Sequence, residues 1–300
     1  MDMTQNKCCR HGASLRRRRR RRRKILRSII FSCSIIAVAV FVAVGSSMIR
    51  SGDGRTNRYD VEAGNNTYDN AVIENSKISG KNKIQNNQSM LDDIMNSTQY
   101  PKQLKDLALK NEEALEFVYD YPAEHVKEHT IDLTEEASMD SVPLFVQWDK
   151  RWGYEKYSGN FFAASGCGPT TLSMVVVYLT HNREASPIAV AKYSKEAGYS
   201  VDGSGSSWTL ISEGCRHYGV KAKTVALDES RMKAELDAGH PIVVNVGPGD
   251  FTDTGHFMVI TGYDDEGFSI NDPNSIEKSG KRWLFKNISS QIRAVWSMYV

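Results

Sequence analysis

The stretch Ser165-Gly166-Cys167-Gly168-Pro169-Thr170-Thr171 runs into an apolar segment, Leu172, Met174, Val175, Val176, Val177 and Leu179. Proline is favoured at the first position of a helix, where its missing N–H has no partner to lose. That preference predicts a helix from Pro169, with Gly168 as its N-cap and Cys167 just outside it. Backbone N–H groups and the positive end of the helix dipole point at this place. A thiolate there is stabilised and becomes a usable nucleophile. The flanking glycines leave room for a substrate backbone. On this stretch alone, a reactive thiol and a cysteine buried in a turn are equal readings.

A thiol nucleophile needs a base, and the base needs a group that orients it. Downstream of Cys167 stand His181, His217, His240 and His256. His181 follows the expected helix too closely to face its start. His217 sits beside a buried stripe, and His240 lies in a turn before Pro241. His256 opens a strand in Thr254-Gly255-His256-Phe257-Met258-Val259, where it can face a cleft while the strand holds its backbone. The next strand, Phe268-Ser-Ile-Asn271-Asp272-Pro273, is its hairpin partner, and Pro273 stops it where Asp272 projects. Asp272 can accept the Nδ1 proton of His256. Asn271 could do so instead, but neighbours on a strand face opposite ways, so only one of the two serves. The oxyanion formed by attack needs a waiting donor. The Cys167 N–H is one, and Gln147, at the end of the expected short apolar strand Val142-Pro-Leu-Phe-Val-Gln147, is a candidate for the second. Trp152 and Trp208 are candidate pocket walls, with core packing as the equal alternative.

Taken together, Gln147, Gly166-Cys167-Gly168-Pro169-Thr170, Gly255-His256-Phe257 and Asn271-Asp272-Pro273 resemble the papain-like peptidases related to the bacteriocin-processing, double-glycine leader peptidases. The resemblance covers about residues 141–300 and is nearest to the stand-alone, membrane-anchored or secreted bacterial branch. It implies a papain-like α+β fold, with Cys167 as nucleophile, His256 as general base and acid, Asp272 as orienter and Gln147 as oxyanion donor. Gly166, Gly255, Trp152 and Trp208 are then candidates for contact with substrate. It implies neither metal nor cofactor. In the transporter-linked relatives the glutamine lies only a few residues before the cysteine, whereas Gln147 stands twenty positions before Cys167 here. The loop between them must therefore fold outward.

The rest of the chain places this domain. The 300 residues carry a net charge of +2, yet residues 1–28 hold twelve Lys and Arg against Asp2, a local +11 that leaves −9 for the remainder. Arg16 to Arg23 form one run. Such a run can bind nucleic acid, but no charge follows between Ser28 and Ile49. About 20 apolar residues span a bilayer, and a dense cationic flank stays on the cytoplasmic side. Residues 29–49 are thus expected to be an uncleaved transmembrane helix in contact with the lipid bilayer, with 1–28 a basic cytoplasmic tail and no nucleic-acid partner. Residues 50–98 read as a flexible stalk. Residues 99–140 read as a helical brace, broken near Asn111-Glu112-Glu113, and 141–300 as the peptidase domain.

Five cysteines, three of them at positions 8, 9 and 33, do not make a disulfide scaffold. Cys215, spaced with Trp208, Ile211 and Tyr218 along a helix, reads as a core thiol, and a Cys167–Cys215 disulfide is its rival. His125 and His129 are four apart but have no further metal ligands clustered with them. Ser186-Pro187 is expected to start one helix and Asp228 to cap another, with Asp202–Ser207 a flexible loop between them. Helices early and strands late give an α+β order. The expected protein is a membrane-anchored, extracytoplasmic cysteine peptidase acting on peptides or cell-wall peptide bonds. An acyltransferase or peptidoglycan amidase would use the same residues. A non-catalytic module is disfavoured by the complete set.

Overall fold

The segment after Pro169 is apolar on every side, so its helix has no face to offer to water and has to become the centre of a core. It spans Cys167–Thr180 and is buried from Gly168 to Val177. The computed structural model describes residues 83–300. The basic tail, the expected transmembrane helix at 29–49 and the stalk up to residue 82 lie outside the described residues. Among the described residues no helix is long and apolar enough to cross a membrane.

Two small hairpins flank the central helix. One is β1 (Lys156–Tyr157) with β2 (Asn160–Phe161), and the other is β3 (Ser200–Val201) with β4 (Gly205–Ser206). The main sheet holds β5 (Lys221–Thr224), β6 (Ile242–Val246), β7 (His256–Asp264), β8 (Gly267–Asn271), β9 (Arg282–Trp283) and β10 (Ile292–Tyr299). Their order is β5-β10-β6-β7-β8-β9, and every neighbouring pair is antiparallel. Side chains alternate across a strand. Val243, Phe257, Val259, Trp296 and Met298 accordingly join Leu172, Met174, Val175 and Val176 in one core. On the other face Ile242, Val244, Met258, Ile260 and Ile270 pack with Met232 of the helix Glu229–Asp237. Each fully buried aliphatic side chain contributes roughly 1.5–3 kcal/mol, so the helix and sheet are held as one body.

Several expectations hold. Helices come early and the antiparallel sheet late. Ser186 caps the helix Pro187–Glu196, its hydroxyl accepting from the Ala189 N–H, and Asp228 caps Glu229–Asp237. The brace breaks where expected. The helix Lys102–Lys110 ends at Asn111, a short 3-10 turn Glu112–Ala114 follows, and Leu115–Tyr119 is helical again.

Other expectations change. The nucleophile helix begins two residues early, because the Gly166 carbonyl already accepts from the Thr170 N–H at 3.0 Å. Cys167 is therefore its first residue and Pro169 its third. A proline fits there as well, since no N–H of the first turn has a helical partner. Residues 83–96, expected in the flexible stalk, are helical, and Ile94 is fully buried against Leu104 and Ala114. Val142–Gln147 is not a strand. It is fastened by side chains instead, with Asn271 Nδ2 donating to the Val142 and Pro143 carbonyls at 3.0 Å each. Asp202–Ser207 is no loose loop but the turn and second strand of the β3–β4 hairpin. The expected helix from Trp208 to Tyr218 splits into Thr209–Ser212 and a 3-10 segment Gly214–Tyr218. Strand β10 has no counterpart in the sequence reading. A register shift between Ile292 and Ala294 breaks the alternation that would have shown it.

Candidate active site

The central helix delivers Cys167, half-buried, at its first turn. The His256 ring and the Phe257 and Gly168 N–H groups lie close enough to the sulfur to act on its charge. Burial pushes the thiol pKa up, but the hydrogen bond and charge of His256 and the two N–H donors outweigh it, so Cys167 titrates below the ordinary thiol range. His256 opens β7 and is only 6% exposed. Burial pulls its pKa down, while the charge and hydrogen bond of Asp272, and then the thiolate, raise it well above the ordinary imidazole value. Both directions favour a thiolate–imidazolium pair.

Asp272 is completely buried, and its Oδ1 accepts from His256 Nε2 at 2.7 Å. The sequence reading expected Nδ1 at this contact. The ring is turned the other way, which leaves Nδ1 as the nitrogen for the sulfur. The choice between Asn271 and Asp272 also resolves in space. Asn271 spends its amide on the Val142–Pro143 carbonyls, and Asp272 meets the histidine.

Gln147 is buried beside the same cleft as Cys167 and His256. Its Nε2 donates to the Ala163 carbonyl at 2.7 Å, and its N–H to the Pro273 carbonyl at 2.7 Å. The Ala163 contact fixes which way the amide faces, since the opposite orientation would set two oxygens against each other. A second Nε2 hydrogen stays available for a reacting oxygen. The long interval before Cys167 does not fold outward as expected. The β1–β2 hairpin and the turn Phe162–Ser165 pack Tyr157, Phe161, Phe162 and Ala163 into the core, and the Ala163 carbonyl meets Gln147.

Two cavities, about 690 and 640 Å³, meet at Cys167. The first runs between the β3–β4 turn, Trp208 and Asn245. The second runs between residues 249–255 and the brace helix, where Gln103, Asp106 and Lys110 form a wall. Gly255 lines both and is exposed, and a Cβ there would meet nothing nearer than the Val246 carbonyl oxygen at 4.0 Å. Trp208 is 48% exposed in the first cavity. These two expected substrate contacts do face the cleft.

Trp152 and Gly166 do not. Trp152 is 1% exposed, stacks edge-on with Phe145 and donates its N–H to the Val146 carbonyl at 2.9 Å. It is a core residue. A Cβ on Gly166 would lie 2.5 Å from the Phe162 ring, and one on Gly168 would lie 2.5 Å from the Ser206 hydroxyl oxygen. The glycines beside Cys167 thus make room for the protein's own side chains rather than for substrate. Cys215 is fully buried, with its thiol pushed up to about 11 by burial, and both cysteines are free thiols. His181 hydrogen-bonds the Ala137 carbonyl, His217 stacks on Tyr193, and His240 meets Glu235. Sequence reasoning missed the Phe257 N–H donor, a backbone group that no side-chain motif announces.

A model of the Peptidase_C39 like family matches residues 139–300. None of the curated proteins matches the chain. Among solved structures, the chain is similar to the peptidase domain of Streptococcus ComA, a bi-functional ABC transporter involved in a quorum sensing pathway. Identity is 18% with a TM-score of 0.39, over 53% of this chain and 96% of that one. It is also similar to a protein described as a C39-like peptidase from Bacillus anthracis, at 16% identity and a TM-score of 0.34, over 53% and 95% of the two chains.

Proposed function

This chain belongs to the Peptidase_C39 like family of cysteine peptidases, and from that premise we propose that it hydrolyses peptide bonds with Cys167, His256, Asp272 and Gln147. The observation that carries the reading is the chain of contacts from Asp272 through His256 to the Cys167 thiol, set where two cavities meet. A cleft open on both sides of the nucleophile suits a polypeptide crossing it.

In this reading the Cys167 thiolate attacks the carbonyl carbon, and the oxygen takes the negative charge. The Cys167 N–H and Gln147 Nε2 donate to that oxygen. His256, protonated at Nδ1, gives its proton to the departing amine, leaving a thioester on Cys167. Neutral His256 then draws a proton from water as the hydroxide adds to the thioester. The carboxylic acid is released, and the thiolate–imidazolium pair returns. Asp272 keeps the ring oriented and stabilises the imidazolium without taking the proton.

The charge pattern of the N-terminal 49 residues supports a membrane location, with 1–28 inside, 29–49 spanning the bilayer and the catalytic domain outside. Carbonate extraction of membranes and protease shaving of intact cells test this. Retention in the pellet with loss of the domain on shaving is the expected result, and a domain protected from shaving sinks it.

The activity is tested on the full chain and its Cys167→Ala variant, incubated with a mixed peptide library in H₂¹⁸O. The expected products carry one ¹⁸O at a new carboxyl terminus and appear only with the unaltered protein. Identical product sets from both proteins overturn the reading. Products joined to an added amine, without ¹⁸O, would identify an acyltransferase.

A further inference from the structure

Asp272 sits on a loop, although the strand before it is well anchored. β8 ends at Asn271, and the chain turns through Asp272–Ser275 into the single helical turn Ile276–Ser279. A catalytic carboxylate on a loop needs external support to hold its geometry. That support comes from the brace. The Glu113 carboxylate accepts from the Ser275 hydroxyl, from the Ile276 N–H at 2.7 Å and from the Glu277 N–H at 3.0 Å. Asn111 Nδ2 donates to the Asn274 carbonyl at 2.9 Å and to its side-chain oxygen at 3.0 Å. The Asn111 side chain also accepts from the Glu113 N–H at 3.0 Å, which locks the two brace residues together. On the far side of the loop, the Asn274 N–H donates at 2.8 Å to Asp272 Oδ1. That is the oxygen bonded to His256.

We propose that Glu113 is a positioning residue for the hydrolysis, acting through the 274–277 loop on Asp272 and so on His256. The brace, which precedes the family region at 139–300, is then part of the catalytic unit rather than a spacer. This rests on the reading of Asp272 as the group that orients His256. Hydrogen bonds to a carboxylate are stronger than neutral ones, and three of them converge on Glu113. Without it the loop holding Asp272 loses three outside hydrogen bonds at residues 275–277 and keeps those that Asn111, Trp148 and Gln147 make to residues 273–274. A displacement of about 1 Å at a catalytic group can reduce a rate on the order of 100-fold.

The test is a double-mutant cycle on the full chain. In Glu113→Ala, kcat is expected to fall roughly 10- to 100-fold, with KM within about threefold. The pH profile of Cys167 alkylation by iodoacetamide, read by peptide mass, should move its acid limb toward the ordinary thiol range, because His256 holds its proton less firmly. On an Asp272→Ala background, Glu113→Ala should cause no further change in the alkylation profile. An equal further loss on that background, or unchanged kcat and profile in the single variant, overturns the proposal. Should Glu113→Ala fail to fold, Glu113→Gln keeps the volume and one acceptor oxygen. It is expected to lose several-fold in kcat, and unaltered kcat and profile again overturn the proposal. If Asp272→Ala alone keeps full activity, the role of Asp272 falls and the proposal falls with it. An inactive Asp272→Ala beside unaffected Glu113 variants removes the clamp and leaves the peptidase reading intact.

Discussion

Cys167 and Cys215 pack against the same hydrophobic core, yet their thiols are shifted in opposite directions. Burial raises both. At Cys215 nothing strong opposes it, and the thiol is pushed up to about 11. At Cys167 a histidine, itself charged by a buried aspartate, reverses the sign. Burial alone therefore does not decide whether a cysteine is inert. Backbone N–H groups act on both sulfurs, so the charged histidine, present at Cys167 and absent at Cys215, decides it.

The most direct way to break this comparison is to remove each sulfur. Cys167→Ala is expected to reduce kcat on the order of 10⁶-fold, measured as release of peptide fragments. Next in size is Asp272→Asn, expected to cost about 10²- to 10⁴-fold in kcat with the fold intact by circular dichroism. Little loss from either would place Cys167 in the same class as Cys215.

A pH titration sharpens the contrast. The lowered pKa of Cys167 means that its thiolate persists below the ordinary thiol range and disappears only as pH falls through the lowered value. Alkylation of Cys167 should therefore persist to lower pH than that of a free cysteine thiol measured in parallel, while Cys215 stays unlabelled across the same range. Equal labelling of the two in the native protein would contradict the electrostatic account.

The two tryptophans repeat the comparison with packing in place of charge. Trp152→Ala is expected to destabilise the fold by about 3–5 kcal/mol, read by chemical denaturation. Trp208→Ala should leave stability nearly unchanged and raise KM about tenfold. The smallest expected effect belongs to Cys215→Ala, which should cost about 1–2 kcal/mol of stability and leave kcat within twofold.

The pattern around Cys167 was legible because each group has a local signature. A glycine-flanked cysteine precedes an uncharged helix, a histidine opens a strand, and an aspartate precedes the proline that ends one. What escaped was set by distant partners. Whether Trp152 or Trp208 faces the cleft depends on Phe145 and Trp296, with which they stack. The ring nitrogen that meets Asp272 depends on how β8 ends, which side-chain identity does not encode. Asn111-Glu112-Glu113 read as a helix break and is one, but the loop that Glu113 caps lies about 160 residues later. Residues 83–96 were hidden by their polar composition, although Met90, Leu91 and Ile94 carry helical spacing.

Among the described residues strand β10 follows every other strand, yet it lies between β5 and β6. While the chain is being made, β5 therefore has no neighbour, and the β6–β9 portion keeps an unpaired edge at β6 until Ile292–Tyr299 emerges. Trp296 and Met298, which seal the core beneath the central helix, arrive at that same late moment. Until then the helix that carries Cys167 rests on Val243, Phe257 and Val259 of β6 and β7, with the core still open where Trp296 and Met298 belong. Cys167, His256 and Asp272 all precede β10, so a partly made chain already holds the three groups over an unfinished core.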